Sequence, residues 1–394
     1  MDLIFKEALP VLETLEQAGY EAYFVGGAVR DYLLKRDVND VDIATSAFPE
    51  EVKQLFHKTY DTGIEHGTVT VRLGDELYEV TTFRTEGKYV DFRRPSEVKF
   101  VRSLEEDLLR RDFTMNAIAM DKAGKLHDPF SGEKAILRRE IKAVGEPEHR
   151  FREDALRIMR AVRFLSQLEF TLEEKTRQAL KEEVSLLAHT AVERIRVEWV
   201  KLVQGKGRTC AFKLIIETCM ERYLPGLLDK KEELAKLASF KFHEKPSEDL
   251  VWLSLVLAVR PDSLRAFLRA WKLSNQQIKR TEQAYALIQE EKPWTDYKLY
   301  QAQAEGIRLV ESGKALIGQE NDLQVALANY EALPIHARSE MAIDGRFLMA
   351  FYEKTGGPWL SELLMEIEQK IVSGELQNQE EAIRRWLLDG KSES

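Results

Sequence analysis

Two glycines followed by an arginine constrain the fold of this chain more than any other feature. The hydrophobic segment that ends at Val25 leads into Gly26 and Gly27, and Arg30 follows at the start of a predicted helix. Glycine lets the backbone approach a bulky anion closely, and a cation beside a helix start adds to an environment that already favours phosphate. The sequence therefore predicts a phosphate-binding turn between a strand and a helix.

A pair of aspartates, Asp40 and Asp42, follows that turn. Residues two positions apart on a strand point to the same face, so both carboxylates can share divalent metal ions. Taken singly, a Gly-Gly pair is more often an ordinary turn, and an Asp-x-Asp is more often a solvated strand edge. Phosphate-binding glycines followed by paired carboxylates are a much rarer combination, typical of metal-assisted phosphoryl or nucleotidyl transfer.

This combination resembles the first signature of the polymerase-beta-like nucleotidyltransferases, in the class that contains bacterial tRNA nucleotidyltransferases and poly(A) polymerases. The family pattern is close to Gly-Gly-x-Val-Arg-Asp, followed by Asp-x-Asp with Ala-Thr after it; here 40–45 reads Asp-Val-Asp-Ile-Ala-Thr. The resemblance implies that Gly27 and Arg30 hold nucleotide phosphates. It also implies that Asp40 and Asp42 are the catalytic carboxylates and bind Mg²⁺.

A second signature of the same family is matched at 110–117, which reads Arg-Arg-Asp-Phe-Thr-Met-Asn-Ala. Without the first signature, this stretch would be interpreted as a basic helix C-terminus, which the helix dipole favours. The resemblance implies that Arg111 contacts the nucleotide phosphates or sugar and that Asp112 lies near the ribose hydroxyls. A contact to the 2′-hydroxyl would distinguish ribonucleotides from deoxyribonucleotides.

A third signature, Glu-Asp-x-x-Arg, begins at Glu153 and places Asp154 and Arg157 at helix-neighbour spacing. A solvated ion pair is the usual outcome of such spacing, but in the family this motif is a protein template for the incoming base. Cytosine and adenine each present an amino donor beside a ring-nitrogen acceptor, which match a carboxylate and a guanidinium; uracil and guanine present the reverse. Each unpaired buried group costs roughly 1–3 kcal/mol. By the same resemblance, Arg160 and Arg163 also bind nucleotide.

Glu79 lies on a predicted strand and is the candidate for a third carboxylate beside the metal ions. A surface ion pair with Arg72 or Arg84 is an equally good interpretation of this residue. The sequence alone leaves both open.

The distribution of apolar residues predicts two regions of different class. Val, Thr and aromatic residues predict strands at 22–25, 41–44, 68–73, 78–83 and 117–120. From about residue 150 onward, apolar residues recur at helical spacing. The predicted fold class is α+β: a polymerase-beta-like nucleotidyltransferase head with a mixed sheet, then an all-α neck, body and tail. The predicted domains are a catalytic head at 1–140, a neck with the base template at 141–205, and a body at 206–300 and a tail at 301–394 that bind tRNA.

The net charge of −9 argues mildly against a nucleic-acid partner. The segment from Arg138 to Arg163, however, contains eight basic residues and five acidic ones. One basic strip on an acidic chain suits an RNA held along one face, and it equally suits a nucleoside triphosphate. The charge therefore leaves the partner open.

Membrane and export signals are absent from the sequence. The apolar run 250–259 is too short to span a bilayer, and the N-terminus has no basic region of a signal peptide. Cys210 and Cys219 have no other metal-ligating residues near them in the sequence, and two cysteines are too few for a disulfide framework. Such cysteines are typical of a protein in a reducing cytoplasm. We therefore expect a cytoplasmic location and no membrane partner.

Together the three signatures resemble those of the bacterial class II CCA-adding enzymes, in the tRNA nucleotidyltransferase/poly(A) polymerase family. The resemblance implies template-independent addition of C-C-A to the 3′ end of tRNA from CTP and ATP with release of pyrophosphate, and relatives of this type are often homodimers.

Alternatives are a bacterial poly(A) polymerase, whose usual basic C-terminal extension is missing, and a partial enzyme that adds only C-C or only A. The polar segment 84–97 resembles a flexible loop that is shortened in C-C-adding relatives. A non-catalytic RNA-binding protein would lack a carboxylate or template residue, and none is missing.

Overall fold

The computed structural model describes residues 2–86, 89–90, 94–95, 98–290 and 292–391. The chain divides into two compact units: the first runs to Ser239 and includes Ala270–Lys272, and the second contains Phe240–Arg269 and the chain from Leu273 onward. Within the predicted loop at 84–97, residues 87–88, 91–93 and 96–97 lie outside the described residues.

All strands within the described residues belong to the first unit. In chain order they are β1 (Ala22–Val25), β2 (Asp42–Thr45), β3 (Thr59–Gly63), β4 (Thr68–Leu73), β5 (Glu76–Thr82), β6 (Arg84–Glu86), β7 (Tyr89–Val90), β8 (Arg94–Pro95), β9 (Val98–Phe100), β10 (Ala119–Met120), β11 (Leu126–His127), β12 (Glu140–Ile141) and β13 (Thr171–Leu172). Seven of them form one mixed sheet in the order β11-β10-β1-β2-β5-β4-β3. This confirms the mixed sheet predicted for the head.

The helices occupy both units. In chain order they are α1 (Leu3–Gln17), α2 (Gly27–Leu33), α3 (Pro49–Leu55), α4 (Leu104–Leu109), α5 (Gly132–Leu137), α6 (Pro147–Glu153), α7 (Leu156–Leu168), α8 (Glu174–Glu183), α9 (Val192–Val203), α10 (Arg208–Glu217), α11 (Lys231–Ser239), α12 (Glu248–Val259), α13 (Leu264–Ala270), α14 (Asn275–Gln289), α15 (Asp296–Leu316), α16 (Leu323–Glu331), α17 (Gly345–Tyr352), α18 (Pro358–Val372) and α19 (Glu380–Lys391). Short 3₁₀ turns lie at Ile64–His66, Thr114–Asn116, Val184–His189, Met220–Tyr223 and Arg338–Glu340. No helix in the described part of the chain combines the length and the hydropathy that crossing a membrane takes.

The central strands of the sheet place acidic side chains next to the buried core. β2 is antiparallel to β1, with Val25 opposite Asp42, and parallel to β5, with Asp42 opposite Glu79. After its first residue β2 is fully buried, and the side chain of Phe24 on β1 packs edge-to-face on Phe5 of α1 at 5.0 Å between ring centroids. Asp42 thus stands where a buried strand begins.

Helix α7 is held closely by the elements around it. The Ser166 hydroxyl donates a hydrogen bond of 2.6 Å to the carbonyl oxygen of Leu202 on α9. A Cβ atom at Gly205 would collide with Ser166, so this close approach requires glycine. The tight packing fixes α7, whose arginines line the cleft described below.

The elements that the structure describes in the second unit are helices and a short 3₁₀ turn, and helix α15 contains a sharp irregularity. Helix α15 is interrupted at Gln303, whose backbone has φ 58° and ψ 170°. The Gln303 side-chain amide donates to the carbonyl oxygen of His336 at 3.0 Å, and its oxygen accepts a hydrogen bond of 2.9 Å from the Tyr330 hydroxyl. These bonds stabilise a backbone conformation that is costly for a residue other than glycine.

Candidate active site

The two aspartates of the first signature lie at the beginning of β2. Asp42 is its first residue, Asp40 lies just before it, and both are exposed. Because residues opposite each other on neighbouring strands share a face of the sheet, Asp42 and Glu79 project to the same side. The pKa of Asp42 is raised by partial desolvation and then by the negative charges of Asp40 and Glu79, while the nearby Arg111 opposes this change.

This arrangement fits a divalent cation. Carboxylates whose charges repel one another are stabilised by a bound cation. Among the residues that the structure describes, no group of three or more His, Cys, Asp or Glu side chains is arranged to hold a metal ion. A small divalent ion bound through one or two carboxylates, water and substrate phosphates needs no such cage. The role of Glu79 as a further metal ligand stays a prediction. Arg72, one of the two ion-pair partners considered for Glu79, is paired with Asp75 instead.

Gly26 connects β1 to α2 and lets two site residues come close to the backbone. Its φ of +73° lies in the left-handed region, which favours glycine. A Cβ atom there would lie 3.2 Å from Nη1 of Arg111 and 3.6 Å from Oδ2 of Asp42. The predicted turn therefore brings together one residue from each of the first two signatures.

Arg30 is fixed by two partners at the edge of the cleft. Its Nε and Nη2 donate to the Asp31 carboxylate at 2.9 and 2.7 Å, and its Nη1 donates to Oδ1 of Asn116 at 2.8 Å. Asn116, from the second signature, donates in turn to Asp112 at 3.0 Å. The first and second signatures are thus connected by side-chain hydrogen bonds.

Asp112 is a buried acceptor for several donors. Its Oδ1 accepts hydrogen bonds from Asn116 and from the backbone N–H of Phe113, and its Oδ2 accepts one of 2.7 Å from Nε of Arg160. Burial opposes its ionisation, but the charge of Arg160 and the hydrogen bonds from Asn116 and Arg160 outweigh burial and lower the pKa of Asp112 to about 2. Asp112 therefore positions Arg160 within the cleft. The contact of Asp112 to the ribose stays a prediction.

Asp112→Asn is expected to lower the free energy of unfolding at neutral pH by roughly 2 kcal/mol. The pKa of the folded-state carboxyl, about 2, lies below its ordinary value of 3.8. The stability it contributes is therefore fully present above about pH 4 and is lost as the pH falls toward about 2. Urea unfolding midpoints of both proteins at several pH values measure this. The difference between the two urea midpoints should be constant from pH 7 to pH 4 and should become smaller below pH 4. Equal midpoints at pH 7 would contradict a stabilising role for the ionised Asp112.

The two residues of the predicted base template are each held by other partners rather than by one another. Oδ1 and Oδ2 of Asp154 accept bonds of 3.0 and 2.8 Å from the guanidinium of Arg194 on α9. Arg157 is buried and donates to Oε2 of Glu153 at 2.8 Å and to the carbonyl oxygen of Arg110 at 2.7 Å. Both template side chains are thus fixed before any base arrives.

Arginines of α6 and α7 reach back to the segment 109–112. Arg150 donates to the carbonyl oxygen of Leu109 at 3.0 Å, Arg157 to that of Arg110, and Arg160 to the carboxylate of Asp112. The second and third signatures therefore form one hydrogen-bonded assembly.

A buried ion pair joins α7 to α9. Nε of Arg163 lies 2.8 Å from Oε2 of Glu198, and both side chains are almost fully buried. Burial and the neighbouring Arg160 lower the pKa of Arg163 to about 10, against the attraction of Glu198. Sequence reasoning identified neither Glu198 nor Arg194 as a site residue, although Arg194 belongs to a stretch, 190–195, that resembles a neck motif of the family. The helix-neighbour spacing of these two residues on α9 is a further signal that could have found them.

Most of the predicted residues line one open cleft of about 650 Å³ in the first unit. Its lining includes Gly27, Arg30, Asp42, Arg111, Asp112, Asp154, Arg157, Arg160 and Arg163. Asp40 and Glu79 are not lining residues, but their charges act on Asp42. The second unit has clefts of about 710 and 810 Å³, so convergence of arginines and carboxylates, rather than size, distinguishes this one.

Comparison with protein families finds matches along most of the chain. Residues 22–142 match the poly A polymerase head domain, and 169–230 match a probable RNA- and SrmB-binding site of polymerase A. Residues 243–387 match a putative tRNA nucleotidyltransferase domain 2. The first match contains both Asp40 and Asp42 and the whole second signature.

Curated relatives and one solved structure are similar over almost the full length. The CCA-adding enzyme of Listeria monocytogenes is 54% identical over 98% of this chain and 99% of its own. The CCA-adding enzyme of a Geobacillus species is 48% identical over 98% of this chain and 96% of its own. The crystal structure of the Bacillus stearothermophilus CCA-adding enzyme in complex with CTP superimposes with a TM-score of 0.87 and 43% identity, covering 100% of this chain and 98% of that one.

Proposed function

The chain belongs to the family of CCA-adding enzymes, and on this premise we propose how its cleft adds C-C-A to the 3′ end of tRNA from CTP and ATP. The observation that carries the proposal is the convergence of the three signatures on one cleft. Paired carboxylates, several arginines and a fixed Asp/Arg pair there supply the groups that nucleotide addition needs.

Asp40 and Asp42 are proposed to hold Mg²⁺ at the beginning of β2. When bound, the metal neutralises charge on the triphosphate and lowers the pKa of the attacking 3′-hydroxyl. Arg30, Arg111 and the backbone at Gly27 hold the phosphates in line with the tRNA 3′ oxygen. The 3′-hydroxyl gives its proton to water, its oxygen forms a bond to the α-phosphorus, the bond from that phosphorus to the bridging oxygen of the β-phosphate breaks, and pyrophosphate leaves.

Base selection is assigned to Asp154 and Arg157. The carboxylate accepts from the exocyclic amino group of cytosine or adenine, and the guanidinium donates to the neighbouring ring nitrogen. Arg194 orients Asp154, since it donates hydrogen bonds to both carboxylate oxygens. Uracil and guanine would place an acceptor against Asp154 and a donor against Arg157.

The experiment that tests this function uses a tRNA transcript lacking its last three nucleotides. The purified full-length chain is incubated with Mg²⁺ and with CTP and ATP, separately and together, and the products are resolved at single-nucleotide resolution. Growth by three nucleotides only when both are present, then a stop, is expected. A long ladder with ATP alone would identify a poly(A) polymerase, arrest after C-C a partial enzyme, and no extension a non-catalytic RNA-binding protein.

Other features of the proposed function rest on the resemblance. The division into a head at 1–140, a neck at 141–205, a body at 206–300 and a tail at 301–394 is retained as a proposal, as are tRNA binding by body and tail, a homodimer and a cytoplasmic location. Nucleotide contacts by Arg160 and Arg163 belong to the same group of proposals.

A further inference from the structure

We propose that Phe164 is a positioning residue that fixes three arginines of the cleft for the triphosphate of the incoming nucleotide. The guanidinium carbons of Arg30, Arg160 and Arg163 lie 5.1, 5.4 and 3.9 Å from the centroid of its ring. The inference rests on the proposed function, in which Arg30 binds phosphate and Arg160 and Arg163 contact the nucleotide, and it assigns all three arginines to the triphosphate. Phe164 lines the cleft but is only 3% exposed, so its proposed role is exerted through the arginines packed on its ring.

The Phe164 ring is the place where two elements of the cleft meet. Arg160 and Arg163 belong to the same helix, α7, and Arg160 lies one helical turn before Phe164. Arg30 comes from α2, which follows the glycine turn. The ring of Phe164 is held from the side by Phe113, fully buried, at 5.8 Å between centroids and an interplanar angle of 87°. A rigid core residue thus supports groups from both elements.

Three neighbouring guanidinium groups repel one another, and the structure counters this in two ways. Each arginine has its own carboxylate. The nitrogen-to-oxygen distance is 2.7 Å from Arg30 to Asp31, 2.6 Å from Arg160 to Asp112 and 2.8 Å from Arg163 to Glu198. These pairs balance the charges one by one. The aromatic ring is the partner that all three share, and its face attracts a guanidinium electrostatically, more strongly when water is excluded.

A shared partner affects how phosphate is bound. Arginine side chains have many rotamers, and ordering them when the ligand arrives costs binding free energy. A ring that holds three of them beforehand removes part of that cost for the β- and γ-phosphates. Removing the ring should therefore weaken binding of a triphosphate more than binding of a monophosphate, whose base contacts at Asp154 and Arg157 are unchanged.

The test compares Phe164→Leu with wild type in calorimetric titrations of CTP and of CMP into the full-length chain without tRNA. We expect F164L to weaken CTP binding by about 10-fold and CMP binding by less than about 2-fold. F164Y, which keeps the aromatic face, should restore most of the CTP affinity. In steady-state addition, the KM for CTP should rise while the KM for tRNA is unchanged.

Phe212→Leu is the matched control. Phe212 is fully buried on α10 and packs against Trp199 at 5.6 Å between ring centroids, without an arginine of the cleft. F212L should lower the unfolding midpoint, as any loss of a core ring does, and leave the ratio of CTP to CMP affinity at its wild-type value. If F164L is too unstable to purify, F164M makes the same comparison.

Three results would overturn the inference: equal losses for CTP and CMP, no loss for either, or a loss in F164Y as large as in F164L. Its failure is distinguishable from failure of the proposed function. Wild-type protein that prefers CTP to CMP, with F164L retaining that preference, refutes the positioning role alone. Wild-type protein that neither extends tRNA nor prefers CTP refutes both.

Discussion

Asp42→Ala is expected to slow nucleotide addition by about 1000-fold or more while the chain stays folded. Asp42 faces the same side of the sheet as Glu79, and its raised pKa records desolvation and the repulsion of Asp40 and Glu79. The surroundings of Asp42 thus disfavour its negative charge, as expected for a carboxylate that binds a cation during the reaction. Extension of the shortened tRNA by CTP and ATP, read at single-nucleotide resolution, measures the loss.

Stability separates this role from a structural one. Because the folded-state pKa is raised, the ionised Asp42 destabilises the native state at neutral pH. Asp42→Ala should therefore have a urea midpoint equal to or above that of wild type. Asp37→Ala is the matched control, since Asp37 is an exposed aspartate in the segment before Asp40, and it should keep wild-type rates. A D42A protein that still adds nucleotide at a tenth of the wild-type rate would remove Asp42 from the metal site.

Asp154→Ala is expected to reduce discrimination between CTP and UTP by about 10- to 100-fold. Without the carboxylate, cytosine loses the acceptor for its amino group, and uracil no longer meets an acceptor opposite its carbonyl. Alanine is the informative replacement, because an asparagine amide can donate as well as accept. The ratio of kcat/KM for CTP to that for UTP, on tRNA lacking its last three nucleotides, measures the change; ATP against GTP is the parallel comparison.

Glu193→Ala provides the control for Asp154→Ala. Glu193 is an exposed carboxylate directly before Arg194 on α9, so its removal changes local charge without removing a template group. It should retain wild-type selectivity. Unchanged selectivity in D154A, with both proteins folded, would show that another group selects the base.

Sequence patterns predicted the elements that carry strong local signals. The strands at 22–25 and 68–73 follow from runs of β-branched and aromatic residues, and the turn between strand and helix follows from the glycine pair at Gly26 and Gly27. The predicted strand at 117–120 is shorter, because Thr114–Asn116 forms a 3₁₀ turn. Asp112 accepts hydrogen bonds from a neighbouring backbone N–H and from Asn116, and such local bonds compete with strand pairing. The two-residue strand β13 was not predicted, since so short a run carries no periodicity.

The same distinction holds in the cleft. Motif resemblance named many of the residues that line it, because each signature is contiguous in sequence. It did not predict their partners: Asp154 pairs with Arg194, 40 residues later, although the spacing suggested Arg157. Likewise Glu198 pairs with Arg163 from a different helix. Ion pairs between helices depend on how the helices pack, which a local pattern does not contain.

The hydrogen bonds from α6 and α7 to the segment 109–112 determine which parts of the chain can be exchanged between relatives. In a chimaera that takes 1–140 from one homologue and the remainder from another, the same acceptor groups would be present, but the core of a different sequence would position the segment 109–112 against Arg150, Arg157 and Arg160. Recombination that moves 109–112 together with α6 and α7 keeps these bonds intact. The segment that should be exchanged as a whole therefore runs from residue 109 to the end of α7 and crosses the predicted domain boundary near residue 140. We expect functional hybrids to have their junctions before or after this segment rather than inside it.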